Sequence, residues 1–327
     1  MVGLAALLLV LAIPVLGHTA QETRNAVAPA LGLSTRIQSL PLDAARRNNL
    51  NDALRTRNYE LAEKILLDEI QRSPKSQSTL KLLGDIFFLD GSYLNSAITM
   101  KKAEALGPLD DHSRFTLSMA YVTLDKGDWA RPELEALARS EPRNALYPYW
   151  LSRLDYRDMH LTSAVANAQK AIALDPTFMK AYDNLGLYYD ALGKSEEATR
   201  AYKDAIRLNR EQRLHSPWPA LNLGAFLFKL GRSDEAEVYL RESLQEDPRF
   251  PKAHFHLGLL LEKSGKYAEA IQELKQAAEI DPSYPEPCFA LGRIYRRLGD
   301  EKSAQAAFQM FQDKSQKEKE KNVRRSH

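Results

Sequence analysis

Proline returns at a fixed interval along most of this chain. Pro74, Pro108, Pro142 and Pro176 stand 34 residues apart, and Pro248 and Pro282 repeat the interval. The slot between these two runs holds Arg210, and the 38-residue gap from there to Pro248 places four extra residues around Glu211–Pro217. Twelve positions before each slot stands a small residue: Ala62, Ser96, Ala130, Ala164, Ala198, Ala236, Ala270 and Ala304. Twelve further back stand Gly84, Ser118, Ser152, Gly186, Gly224, Gly258 and Gly292, with Leu50 as the exception in the first unit. Three registers in phase over eight units define a repeat, and a period of this size commits a chain to a solenoid. Length alone, 327 residues, would have allowed two or three separate domains. The repeat overrides that prior.

Each unit reads as two helices. Apolar residues fall at helical spacing over Ala181–Leu192, Gly193 breaks the run, and a second amphipathic stretch follows over Ser195–Leu208. The recurring small residues predict a close crossing of the two helices, where a larger side chain would hold the backbones apart. The proline, often preceded by an acid as in Asp175-Pro176, Asp247-Pro248 and Asp281-Pro282, stops the second helix and opens the link to the next pair. No segment alternates with period two, so no sheet is expected. The chain is 44% hydrophobic, enough for a sizeable core, and 45 Lys and Arg balance 43 Asp and Glu. That balance predicts no general or specific attraction to nucleic acid. A single cysteine, Cys288, excludes an internal disulfide and any cysteine-rich metal module.

Tyr182, Leu185, Gly186, Tyr189, Ala198, Tyr202 and Ala205 in one unit, and Leu257, Gly258, Ala270, Ala277 and Pro282 in another, resemble the tetratricopeptide repeat, a 34-residue helix–turn–helix family. The resemblance covers residues 43–318, in units near 43–76, 77–110, 111–144, 145–178, 179–212, 217–250, 251–284 and 285–318. It weakens in the first unit, which lacks the glycine, and in the third, where Gly127-Asp128-Trp129 sits two places late. It implies an all-α, right-handed superhelical solenoid of about eight repeats whose first helices line a concave groove. It also implies a role in holding proteins or extended peptide segments, without catalysis and without a cofactor.

Carried onto this sequence, the family's groove positions hold Tyr149, Trp150, Arg153, Lys180, Asn184, Trp218, Asn222, Lys252, Phe255, His256 and Arg293. Lys81, Phe88, Phe115, Tyr156, Arg157, Phe228, Arg296 and Arg297 share the face. The mixture is aromatic and cationic, which suits an apolar peptide bearing acidic groups. Packing between neighbouring repeats is the competing reading for each aromatic. Asn184 and Asn222 hold the same place in successive units, with His256 at the third rung. Stacked amides can hold an extended backbone irrespective of its sequence. Lys180 and Lys252 resemble the lysines that clamp a partner's terminal carboxylate, although the full clamp pattern is incomplete.

Enzyme signatures fail one by one. Gly193-Lys194-Ser195 lacks the glycine that a phosphate loop needs five residues earlier, where Tyr188 stands. His254 and His256 are two apart on a helix and diverge, whereas helical metal pairs want four. Cys288 reads as a small buried hydrophobe.

Residues 1–21 contain no formally charged side chain, and the first 17 are mostly apolar, broken by Pro14. That length suits a signal peptide and is short for a membrane span. The expectation is an exported chain, periplasmic or secreted after cleavage, or tethered to the membrane if the segment is kept. Residues 22–42 read as a linker with a short helix near Leu31–Leu40, and 319–327 as a charged, solvating tail. The combined expectation is a non-catalytic scaffold of a bacterial cell envelope. The alternatives are the substrate-binding subunit of a separate glycosyltransferase-like enzyme, or a membrane-anchored assembly regulator.

Overall fold

A computed structural model describes residues 19–27 and 33–326 of the chain. The apolar run on which the export and anchor expectations rest lies, to residue 18, outside the described residues. Among the described residues there are eighteen α-helices and no strand, and no helix is long and apolar enough to cross a membrane. They fall into two compact units that divide between Asp158 and Met159.

The first unit opens with two short helices, α1 (Thr19–Val27) and α2 (Leu33–Gln38). Three helix–turn–helix pairs follow: α3 (Ala44–Arg55) with α4 (Tyr59–Arg72), α5 (Gln77–Asp90) with α6 (Tyr93–Glu104), and α7 (Asp111–Thr123) with α8 (Gly127–Ser140). It ends with α9 (Leu146–Arg157), the first helix of the fourth repeat. The second unit begins with that repeat's second helix, α10 (Leu161–Leu174), and continues with four pairs. These are α11 (Met179–Ala191) with α12 (Ser195–Glu211), α13 (Trp218–Lys229) with α14 (Ser233–Glu246), α15 (Pro251–Lys263) with α16 (Tyr267–Ile280), and α17 (Glu286–Arg297) with α18 (Glu301–Ser326).

The small residues stand where the two helices of a pair cross. A Cβ placed on Gly186 would meet the Tyr202 ring at 2.6 Å, and one on Gly258 would meet Leu274 at 2.7 Å. Gly84, Gly224 and Gly292 face Met100, Leu240 and Phe308 in the same way, each sixteen residues further on. Where serine replaces that glycine, the hydroxyl folds back onto its own helix: Ser118 donates to the Phe115 carbonyl at 2.8 Å and Ser152 to the Tyr149 carbonyl at 2.7 Å. The Asp-Pro junctions have an equally local cause. Asp175, Asp247 and Asp281 each accept the backbone N–H two residues ahead at 2.9 Å, a side-chain turn that closes the link to the next pair.

Within each pair the turn needs one left-handed residue. In the last four repeats glycine takes it, as at Gly193 with φ 72°. In the first unit Gly91 takes it in the second repeat with φ 91°, whereas Arg57 and Asp125 adopt φ of 55° and 56° in the first and third; Met159, just across the unit division, adopts 60° in the fourth. Asp125 therefore occupies the turn of the third repeat, and the late glycine serves another purpose. A Cβ on Gly127 would stand 1.9 Å from the Arg157 guanidinium, so glycine here makes room for that group.

The four-residue insertion lengthens α12 to Glu211 and then folds tightly. Asn209 ties the loop from both sides, donating to the Ser216 carbonyl and accepting from its N–H, each at 3.0 Å. At the carboxyl end, residues 319–326 continue α18 as helix. Lys and Glu are strong helix formers, and spaced pairs such as Gln316 to Glu320 (3.0 Å) support the run.

Candidate functional site

In the second unit the first helices α11, α13, α15 and α17 lie side by side in succession, and in the first unit α5 lies beside α7, so groove positions on these helices share a face. In the first unit that face is already in use. Helix α1 packs against α7, and α2 packs against α3 and α5. Ile37, Leu40 and Leu42 join Leu50, Leu66, Leu82, Leu83 and Ile86 in one apolar cluster, which roots the segment in the first two repeats.

Polar contacts hold both described parts of this segment. Glu22 accepts from the Tyr149 hydroxyl at 2.5 Å and forms an ion pair with Arg153, both on α9. Thr23 is fully buried, with its hydroxyl 3.0 Å from that of Thr123 at the end of α7. Arg24 donates to the Tyr93 hydroxyl at 2.8 Å. Arg36 pairs with Asp85 on α5, a carboxylate with no solvent exposure. Asp85 also accepts from the Thr116 hydroxyl at 2.8 Å and lies 3.3 Å from His112 Nε2. Arg153 further stacks on Trp150, its guanidinium carbon 4.6 Å from the ring centroid. Trp150 and Tyr149 are themselves almost fully buried.

One further first-helix residue of this unit pairs off to the side. Lys81 meets Asp110 at 3.0 Å, and Asp110 caps α7 by accepting the Ser113 N–H at 2.8 Å. Burial raises the Asp110 carboxyl, but the Ser113 bond and the Lys81 ammonium outweigh it and hold the pKa at about 2.

The face of the second unit is tied by polar bridges between successive repeats. Asn222 donates to both oxygens of Asp183 at 3.0 and 2.9 Å. Lys229 pairs with Asp190 at 2.7 Å, and Arg293 donates to Glu262 through Nε at 2.7 Å. Asn222 thus directs its amide hydrogens to a neighbouring repeat and keeps its carbonyl oxygen as an acceptor. Asn184 and Lys180 sit one repeat earlier, Asn184 half-buried.

Trp218, Lys252 and Phe255 form a second cluster with Phe250 and Tyr284. Lys252 Nζ lies 4.9 Å above the Trp218 ring, and Trp218 meets Phe250 edge to face at 4.9 Å. Phe255 meets Tyr284 at 5.3 Å and is buried. Burial lowers the Lys252 pKa, against the pull of Glu286 and Asp281. Half-buried His256 drops to about 4 through burial and the nearby Lys252 charge, so the ring is neutral at pH 7. His254 faces elsewhere, between Glu273 at 2.6 Å and the Pro248 carbonyl at 3.0 Å. Burial works against its charge, but those two acceptors raise its pKa.

The sequence-derived residues thus fall into two groups. Tyr149, Trp150 and Arg153 converge in the first unit; Lys180, Asn184, Trp218, Asn222, Lys252, Phe255, His256 and Arg293 lie in the second. Asp85, His112, Thr116 and Thr123 escaped the sequence reading, as did the role of Glu22 and Arg36. One signal existed: Asp85 is a lone carboxylate inside Leu82-Leu83-Gly84-Asp85-Ile86-Phe87-Phe88, a run that buries its members. No group of three or more metal-ligating side chains is found among the described residues. Cys288 is buried.

Family models of the tetratricopeptide repeat match residues 167–200, 221–285 and 261–320, all in the second unit. A curated relative, the TPR repeat-containing protein YpiA of Bacillus subtilis, is 27% identical over 180 residues, or 52% of this chain. The chain spans only 40% of that relative's length. Among solved structures, PilW, described as a widely conserved type IV pilus biogenesis factor, aligns with a TM-score of 0.56 at 20% identity, over 62% of this chain and 92% of its own. A chain of the APC/C hetero-tetramer Cut9–Hcn1 aligns with a TM-score of 0.60 at 18% identity, over 84% of this chain and 54% of its own. At these identities the likeness is one of fold.

Proposed function

Because the chain is a tetratricopeptide-repeat protein, we propose that it is a non-catalytic scaffold that holds protein segments against its first-helix faces. One observation carries this reading. The first-helix face of the first unit already grips a peptide segment, through Tyr149 and Arg153 on Glu22 and Asp85 on Arg36. A surface that binds one segment by charge-assisted bonds has the equipment to bind others. The fold fits such a role, since PilW serves pilus biogenesis and the Cut9–Hcn1 chain is part of a hetero-tetramer.

In the second unit the proposed contacts are Lys180, Asn184, Asn222, Trp218, Lys252, His256 and Arg293, with buried Phe255 packing in the core behind them rather than meeting a partner. Arg293 and Asn222 act there partly as struts, and the half-buried Trp218–Lys252 stack offers an apolar and cationic surface to an acidic segment. We place the protein outside the cytoplasm, in a cell envelope, on the strength of the uncharged apolar start at residues 1–21.

The experiment is affinity capture from the native host with the chain as it is and with Asn184, Asn222 and Trp218 replaced together by Ala. The expected result is a partner lost only in the triple variant, with helical content unchanged. Equal capture by both proteins moves the interface away from this face. Sequencing the amino terminus of the protein purified from its host tests export: an intact residue 1 in a cytoplasmic fraction contradicts it.

A further inference from the structure

Residues 1–42 contain three formally charged side chains, Glu22, Arg24 and Arg36. Each lands on a complementary group of the first unit: Glu22 on Arg153 and Tyr149, Arg24 on Tyr93, Arg36 on Asp85. A linker that merely leads into a repeat array has no reason to match all three. The segment also runs against the repeat order, with Glu22 on the fourth repeat, Thr23 on the third, and Arg36 and Ile37 on the second and first. It lies as a bound peptide lies.

Its two halves are held by different forces. The later half is rooted by Ile37, Leu40 and Leu42 in the apolar cluster of the first repeats and by the buried Arg36–Asp85 pair. Helix α1 is held chiefly by directed polar contacts at Glu22, Thr23 and Arg24, with Val27 as its buried apolar residue. A nine-residue helix has little stability of its own in water, so α1 is helical where its seat supports it. Polar contacts of this kind can be handed over to another peptide's side chains without exposing a core.

We infer that α1 is a displaceable self-ligand, and that the seat formed by Tyr149, Trp150, Arg153 and Thr123 takes a partner segment bearing a carboxylate beside a hydroxyl residue. The inference rests on the scaffold reading and specifies the partner chemistry of one face. The carboxylate replaces Glu22 between the Tyr149 hydroxyl and the Arg153 guanidinium, which is held in place by its stack on Trp150. The hydroxyl replaces Thr23 against Thr123. Arg36 to Leu42 stay rooted and keep α1 close, so a partner competes against a tethered rival. Its apparent affinity is then reduced by the fraction of time the seat is open.

The test uses the full chain, a fluorescent synthetic peptide of residues 18–28, and the same peptide carrying Glu22→Gln. Glu22→Lys in the protein removes the carboxylate and sets a like charge against Arg153. The expected result is that the unaltered peptide binds the E22K chain about tenfold or more tightly than it binds the unaltered chain. The E22Q peptide should bind the E22K chain about tenfold more weakly than the unaltered peptide does. Hydrogen exchange over residues 19–27 should rise in E22K while that over 36–42 stays slow. The milder E22Q chain, with helical content checked by circular dichroism, serves if E22K perturbs folding. Equal peptide affinity for altered and unaltered chains, or unchanged exchange over 19–27, overturns the inference. Peptide binding by E22K with no host protein captured by either chain would uphold the self-ligand and defeat the scaffold reading. Host capture lost in the Asn184/Asn222/Trp218 variant, with no peptide binding by E22K, would do the reverse.

Discussion

The two units solve one packing problem with different materials. In the second, the pair turns carry glycine at Gly193, Gly231, Gly265 and Gly299, and first helices are tied to one another by Asn222–Asp183, Lys229–Asp190 and Arg293–Glu262. In the first, only the second repeat keeps glycine, at Gly91, while left-handed turns fall on Arg57 and Asp125, and the first-helix face is joined by a segment from outside the repeats. The buried Asp85 finds its cation in that segment rather than in a neighbouring repeat. The difference teaches that a regular array satisfies its polar groups from within. A degenerate one borrows partners, and the borrowed partner then occupies the first-helix face.

Four substitutions test this contrast. The largest effect is expected at Arg36→Ala, which strands a fully buried carboxylate. Removing one partner of such a pair costs about 3 kcal/mol, read as a loss of hydrogen-exchange protection confined to the first unit. A much smaller loss would mean that Thr116 and His112 suffice for Asp85. Next comes Gly186→Ala, whose Cβ meets the Tyr202 ring at 2.6 Å. Overpacking of this kind costs about 2 kcal/mol, measured by denaturant titration with protection lost in the second unit. A neutral result would show that the α11–α12 crossing can open.

Smaller changes sharpen the comparison. Arg57→Gly relieves a left-handed residue that bears a side chain and should stabilise the first unit by about 0.5 kcal/mol. A destabilisation would show that the Arg57 side chain contributes more than its backbone costs. The smallest effect is a pH dependence in the second unit. His256 is lowered from 6.5 to about 4, so the folded chain binds fewer protons than the unfolded chain between those values. Its stabilisation is full above pH 6.5 and is lost as pH falls toward 4. The His256→Gln chain should therefore lose less stability than the unaltered chain between pH 7 and 5, by thermal melts. His254, raised in pKa, acts in the opposite sense and is common to both proteins, so the difference isolates His256.

The repeat was legible because its cause is local and recurrent. A small residue at each crossing and an acid before each proline leave a mark every 34 residues. The continuation of α18 through residues 319–326 was legible only as charge density, because solvated helix and solvated coil share a composition. The face was harder. Family positions brought Tyr149, Trp150 and Arg153 together, but their occupant lies 127 residues before Tyr149 in sequence, beyond any local pattern. Asn222 shows the same limit. Its place in the repeat was readable, whereas its bond to Asp183 depends on how two helices from successive repeats sit side by side.

The central claim is that first-helix faces hold protein segments. Hydrogen exchange of the full chain, compared with and without a partner captured from its host, tests it most directly. The account predicts new protection on α11, α13 and α15, with α1 losing protection if the partner takes its seat. Protection confined to the second helices, α12, α14 and α16, with the first-helix faces unchanged, would contradict it.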